Sequence, residues 1–243
     1  MGGRQNLWLN NLILKEGLMV WEERMVTNIK DKNPLDLKSH QILHLWFSSS
    51  FPIGSYAYSH GLEAIIDDKL IKNKNDVLEF IKSILFEGTC RNEYIFIKAT
   101  YDGIDINDLV LASCASKERQ LETLKMGDAF RKIMSESWNY TINNETAFPV
   151  CIAQAGIKFH IAFDDLVDFY IQSFISNLIN MCVKHIPLSQ KDGQDCMFSF
   201  LGMMKSFHNT MKELSLDDLR SSMFCADIYS MKHENLKSRI YVT

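Results

Sequence analysis

The stretch Phe51-Pro-Ile-Gly-Ser-Tyr-Ala-Tyr-Ser-His-Gly-Leu-Glu63 is the densest run of unusual residue choices in this 243-residue chain, and two readings of it lead to two different folds. Pro52 and Gly54 interrupt an apolar segment containing Leu43, Leu45, Trp46 and Phe47, so the chain turns here. In the first reading a helix follows the turn. Tyr58, Leu62, Ile65, Ile66 and Leu70 recur at the spacing of one helix face, and Tyr56, Ser59, His60, Glu63 and Asp67 gather on the other. In the second reading Ala57-Tyr-Ser-His-Gly61 is one residue away from the G-x-S-x-G nucleophile elbow. Ser59 would then be the nucleophile of a serine hydrolase, and residues 45–47 the strand leading into it. That fold needs strands alternating with helices along the whole chain.

Composition favours the helical reading. At 47% hydrophobic and 23% charged residues the chain is an ordinary globular protein, long enough to bury a core unaided. With 11 Gly and 4 Pro, about half of average usage, it has few residues for the turns of a many-stranded fold. A net charge of −4 argues against a nucleic-acid partner, which requires a basic patch. Six cysteines (90, 114, 151, 182, 196 and 225) show no paired spacing and read as free, hydrophobe-like thiols of a reducing compartment. Asn10, Asn11, Lys15 and Glu16 break the first apolar run, so no secretory signal is read there, and the sequons at Asn139 and Asn144 go unused. No uninterrupted apolar run is long enough to span a bilayer. The expectation is a cytoplasmic protein with no membrane partner.

Helical periodicity runs along most of the chain. A helix is expected at 7–21, then a polar connector at 28–38 containing Pro34, then a short helix at 40–47. His40 and His44 on that helix have a spacing that could chelate a metal, without a third ligand nearby in sequence. Asn73 is a candidate N-cap for a helix that buries Val77, Phe80, Ile81, Ile84 and Leu85. Further helices are expected at 92–101, 105–116 and 117–138, the last burying Met126, Phe130, Ile133 and Met134. A loop covers 139–148, and Pro149 opens a helix to about His160. The helix at 164–185 is apolar on most sides except for a stripe of Ser173, Ser176, Asn177 and Asn180. Small polar residues in such a stripe admit a close neighbour, so it is read as the central helix, packed on other helices or on a second copy. Ser189 and Asp192 start a Met-rich helix, and Ser215 and Asp218 start a last one that reaches about Met231.

Several enzyme chemistries are excluded. There is no Gly-Lys pair for a P-loop, and His233-Glu234 is followed by Lys237 where a zinc protease needs its second histidine. None of the seven histidines has a Glu three residues before it, which a di-iron bundle requires. A helical, non-enzymatic interaction protein is the leading class. A direct metal carrier using His40, His44 or His60 is a further alternative.

Three segments also carry a resemblance. Phe51 to Glu63 as quoted, Pro187-Leu-Ser-Gln-Lys-Asp-Gly-Gln194 and Met231-Lys-His-Glu-Asn-Leu-Lys-Ser-Arg239 resemble, in order, the signature blocks of the UreF family of urease accessory proteins. The resemblance runs from about Gln41 to the C-terminus. It implies an all-α, single-domain, multi-helix bundle that forms a homodimer, binds UreD (also called UreH) and recruits the GTPase UreG. Nickel would be handled by the complex on its way into the urease apoprotein, with GTP hydrolysis coupled to delivery and no cofactor held tightly by this chain. It implies partner binding by the first block and the tail, carried over to Tyr56, Ser59, His60 and Glu63, and to His233, Glu234, Ser238 and Arg239. The expected organisation is an N-terminal extension at 1–38, a helical domain at 39–232 and a partner-binding tail at 233–243. The tail departs from the family pattern at Lys232, Asn235 and Lys237, where arginine, threonine and tyrosine are usual. Lysine keeps the charge but lacks arginine's planar fork.

Overall fold

The computed structural model describes residues 34–220, 223–236 and 238–242, and among them it contains helices and turns and no strand. The fold is all-α. Leu43–Thr243 form one compact unit, and the described residues before them, 34–42, belong to another. Helix α1 is Pro34–Trp46. The connector expected to reach Lys38 is therefore helical from Pro34 onward, because proline suits the first helical turn, where its missing N–H has no bond to make. The helix expected at 7–21 lies outside the described residues.

Where caps and periodicity agree, the sequence reading holds. Helix α3 is Lys74–Phe86, and the Asn73 side chain accepts from the backbone N–H groups of Asn75 and Asp76 while the five expected apolar residues are buried. Helix α6 is Lys117–Trp138, capped by Ser116, whose hydroxyl accepts from Arg119 N–H. Helix α9 is Gln190–Met211, opened by a reciprocal capping box between Ser189 and Asp192. Helices α4 (Thr89–Tyr101), α5 (Asn107–Ala112) and α7 (Phe148–Lys158) fill the sequence between them.

Helix α8, Phe163–His185, lies centrally, touching α3, α4, α7 and α9. By length and composition it is apolar enough to cross a membrane. Here Leu166, Val167, Ile171, Ile175, Leu178 and Ile179 are instead buried within the protein. An aromatic cluster anchors the other side of the bundle. The Trp46 ring meets Phe130, Trp138 and Phe159 edge-on at 5.5, 5.6 and 5.7 Å between centroids, a geometry that aligns ring edges with π faces.

Two further expectations fail. The helix after the first turn is not continuous from Tyr56 to Leu70: a 3₁₀ turn, Ser55–Ala57, is followed by extended backbone, and α2 covers only Leu62–Asp67. Positive φ angles at Gly54, His60 and Gly61 break the helix, so Tyr56, Ser59, His60, Glu63 and Asp67 do not share a face. The second failure lies near the C-terminus. Ser215 and Asp218 form their capping box around a 3₁₀ turn, Leu216–Asp218, and the last helix, α10, starts later and spans Phe224–His233.

Candidate partner-binding site

Gly61 brings the first block and the C-terminal helix together. Its φ of +77° suits glycine, and a Cβ there would stand 2.7 Å from the backbone N of Ser230 and 3.0 Å from the carbonyl carbon of Tyr229. Without a side chain in the way, α10 packs directly on α2 and α6. Ser230 and Ser116 share a buried hydroxyl hydrogen bond of 2.7 Å. Tyr229 Oη donates to Asp68 at 2.6 Å, and Lys232 pairs with the same carboxylate. Those two donors, Lys232 first, hold the Asp68 carboxyl below the usual range.

Past α10 the tail folds back over the first block. The ring of His233, fully buried, sits between two carboxylates: Nδ1 is 2.9 Å from Glu118 Oε2 and Nε2 is 2.8 Å from Glu63 Oε2. Glu63 also accepts the backbone N–H groups of Ile240 at 2.8 Å and Tyr241 at 3.2 Å. Burial works against the Glu63 charge, but the bonds from His233, Ile240 and Tyr241 outweigh it and hold its carboxyl below the ordinary value. Arg239 donates to Glu118 Oε1 at 2.9 Å, Val242 N–H donates to the Ala57 carbonyl at 2.8 Å, and the Tyr241 hydroxyl lies 3.1 Å from His185 Nε2.

A second charged cluster lies one residue further along α6. The Arg119 guanidinium hydrogen-bonds Glu122 at 2.5 Å and Glu93 at 3.3 Å, and it also meets His60 Nδ1. His60 Nε2 is 3.3 Å from Glu122, and Tyr170 Oη donates to Glu93. Burial, reinforced by Arg119, pushes the His60 pKa well below its usual value. The ring is therefore neutral, accepting from Arg119 at Nδ1 with its proton on Nε2 toward Glu122. Burial opposes the Arg119 charge, but Glu122 and Glu93 raise its pKa further than burial lowers it. Burial lifts Glu93 above the ordinary carboxylate range, despite the opposing pull of Arg119 and Tyr170. The cluster borders a cavity of about 40 Å³, room for about one water molecule.

The expected site residues thus fall into distinct places. Tyr56 is 68% exposed, and Glu234, Ser238 and Arg239 are exposed on or beside the tail. Ser59 is fully buried and its hydroxyl has no hydrogen-bond partner. A serine nucleophile needs a base within hydrogen-bond reach, and with no strand before it either, the hydrolase reading fails. His60, Glu63 and His233 are held in the two charged clusters. The stripe of Ser173, Ser176, Asn177 and Asn180 lines an open groove shared with Tyr56 and Phe47, and Asn177 donates to Ser55 at 3.3 Å. His44 borders the same groove. Among the described residues, no group of three or more His, Cys, Asp or Glu is arranged to hold a metal.

Glu93, Glu118, Arg119, Glu122 and Tyr170 are absent from the sequence reading of the site. The signal was present in α6. Its buried positions Met134, Phe130 and Met126 recur every four residues, and two further steps of four land on Glu122 and Glu118. Carboxylates at core positions of a helix are the mark of a buried polar network.

The comparisons with known proteins converge. The UreF family model matches residues 71–201. A urease accessory protein UreF from Jannaschia sp. is 32% identical over 205 residues, covering 83% of this chain and 93% of that protein. Its counterpart from Ruegeria pomeroyi is 31% identical over 211 residues, 84% of this chain and 97% of that protein, and the one from Roseobacter denitrificans is 28% identical over 203 residues. With a helical body, no catalytic constellation at Ser59 and these matches across most of its length, the chain belongs to the UreF family of urease accessory proteins, which are not enzymes.

Proposed function

We propose that this protein is a homodimeric adaptor for nickel insertion into urease. In this reading it binds UreD (UreH) and the GTPase UreG, couples GTP hydrolysis to nickel delivery into the urease apoprotein, and works in the cytoplasm. It holds no tight cofactor of its own, and nickel is cargo of the complex. The observation that carries the reading is the junction between first block and tail, parts of the chain 177 residues apart, built around Glu63. In this reading Tyr56 and the exposed tail residues form one composite surface. Tyr56, Glu234, Ser238 and Arg239 are the direct contacts in this reading, and Ser59, His60, Glu63 and His233 shape the surface from behind. The stripe of Ser173, Ser176, Asn177 and Asn180, with its open groove, is the proposed face for a second copy or a packed helix. The domain limits at 38/39 and 232/233 are part of the same proposal.

Capture of purified UreD and UreG on the full chain and on a truncation ending at Leu236 tests the reading. That truncation keeps His233 between its carboxylates, so the body stays intact. Capture of both partners by the full chain, with loss of UreD from the truncation, supports the adaptor reading. Failure of the full chain to capture either partner would overturn it.

A further inference from the structure

We propose that Glu63 is a positioning residue for the C-terminal segment: its carboxylate is an internal clasp that fixes residues 239–242 beside the Ser55–Ala57 turn, and is not itself a contact for a partner. The geometry is specific to this side chain. One carboxylate takes three donors from the C-terminal segment, the His233 ring and the consecutive backbone N–H groups of Ile240 and Tyr241. Successive backbone N–H groups turned into one concavity form an anion-binding nest, and here the two donate to the two oxygens of one carboxylate. The carboxylate that supplies it is mostly covered, with its side chain 13% exposed. A partner approaching this surface meets Ile240 at 70% exposure and Val242 at 45% before it meets Glu63. The other anchors of the segment are the Val242 N–H bond to the Ala57 carbonyl and two peripheral side-chain contacts: Arg239 is 43% exposed in its pair with Glu118, and Tyr241 meets His185 at the surface. Among the described residues Glu63 is therefore the one charge that accepts main-chain N–H groups of the segment, and it selects for backbone shape, not for the side chains at 240 and 241.

The clasp rests on the adaptor reading only for its consequence, so two measurements separate them. Amide hydrogen exchange of the full chain, read at Tyr241 and Val242, tests the clasp alone. In Glu63→Gln these amides are expected to exchange at least about tenfold faster while those of α6 and α8 keep wild-type rates, since Gln turns an N–H₂ toward one of the donors. Wild-type exchange at both amides in Glu63→Gln would overturn the proposal. Should that variant lose its helical circular dichroism, Ile240→Pro removes one donor at an exposed position and leaves Glu63 in place. Val242 must then exchange faster, and an unchanged rate overturns the clasp. UreD capture supplies the second readout. A loosened tail with full capture keeps the clasp and overturns docking by the tail, whereas a protected tail with lost capture makes Glu63 a direct contact and overturns the clasp.

Discussion

Two charged clusters meet the first turns of α6 side by side, and they are built on opposite plans. Arg119 joins His60, Glu93, Glu122 and Tyr170, drawn from the first block, α4, α6 and α8, all within the body. Glu118, its neighbour, joins His233, Glu63 and Arg239, and two of those three come from the C-terminal segment. The first cluster is complete as soon as the body is folded. The second is completed by a segment that can leave. Buried charge costs several kcal/mol per ion unless it is paired and hydrogen-bonded. Where the pairing is internal, that cost makes the structure rigid. Where the pairing comes from the tail, the same cost pulls the tail into place.

The sharpest way to break this contrast is Arg119→Met. It strands Glu93 and Glu122 without their shared cation, and removing one partner of a buried pair typically costs about 3–5 kcal/mol. Urea unfolding followed by circular dichroism reads it, and a loss below about 1 kcal/mol would mean that the cluster does not stabilise the body. His233→Ala should cost less, about 1–3 kcal/mol, the usual penalty for leaving a buried polar group unsatisfied. Its unfolding curve should be accompanied by loss of amide protection at Ile240 and Tyr241, which Arg119→Met should not produce ahead of global unfolding.

Acid separates the clusters by sign. The folded pKa of Glu63 lies below its unfolded value, so its contribution is fully present above the ordinary glutamate range and is lost as pH falls through that range and below. Glu93 behaves the other way. Its folded pKa lies above the unfolded value, so the fold binds a proton there more tightly and gains stability as pH falls toward the ordinary glutamate range. The Ile240 and Tyr241 amide resonances should therefore shift toward free-tail positions at acid pH while the indole resonance of Trp46, in the aromatic core, stays put. Simultaneous movement of all three would merge the two clusters into one cooperative unit. The smallest effect is expected for Arg239→Ala. Its partly exposed pair with Glu118 belongs to a class worth about 0–1 kcal/mol, and thermal unfolding should move little.

The helical body was legible because caps and apolar spacing are local signals that agree with each other. Asn73, Ser116 and Ser189 each sit one residue before the helix they cap. The first block reads as one helix because its apolar spacing is helical, whereas three positive φ angles within eight residues interrupt it, and the one at Gly61 sits against α10, which lies far away in sequence. Tyr56, Glu63 and His233 stand out in the sequence as unusual choices, but their arrangement does not. That His233 lies between Glu63 and Glu118 depends on a contact across 170 residues, which no local pattern encodes. Arg119 was missed for another reason: a Lys-Glu-Arg run at the start of a helix is ordinarily a solvated face, and Arg119 lies off the four-residue steps that lead from Met126 back to Glu122 and Glu118.

The position of His233 also sets a timetable. A chain synthesised from its N-terminus presents Glu63 and Glu118 long before the imidazole that bridges them is made. At about 5–20 residues per second, the 115 residues between Glu118 and His233 take roughly 6–23 s to add. During that interval α6 must carry a carboxylate at a core position with its partner still missing. The first turn of α6 therefore settles last, after the rest of that helix has docked, and its closure reports that α10 has been made through His233.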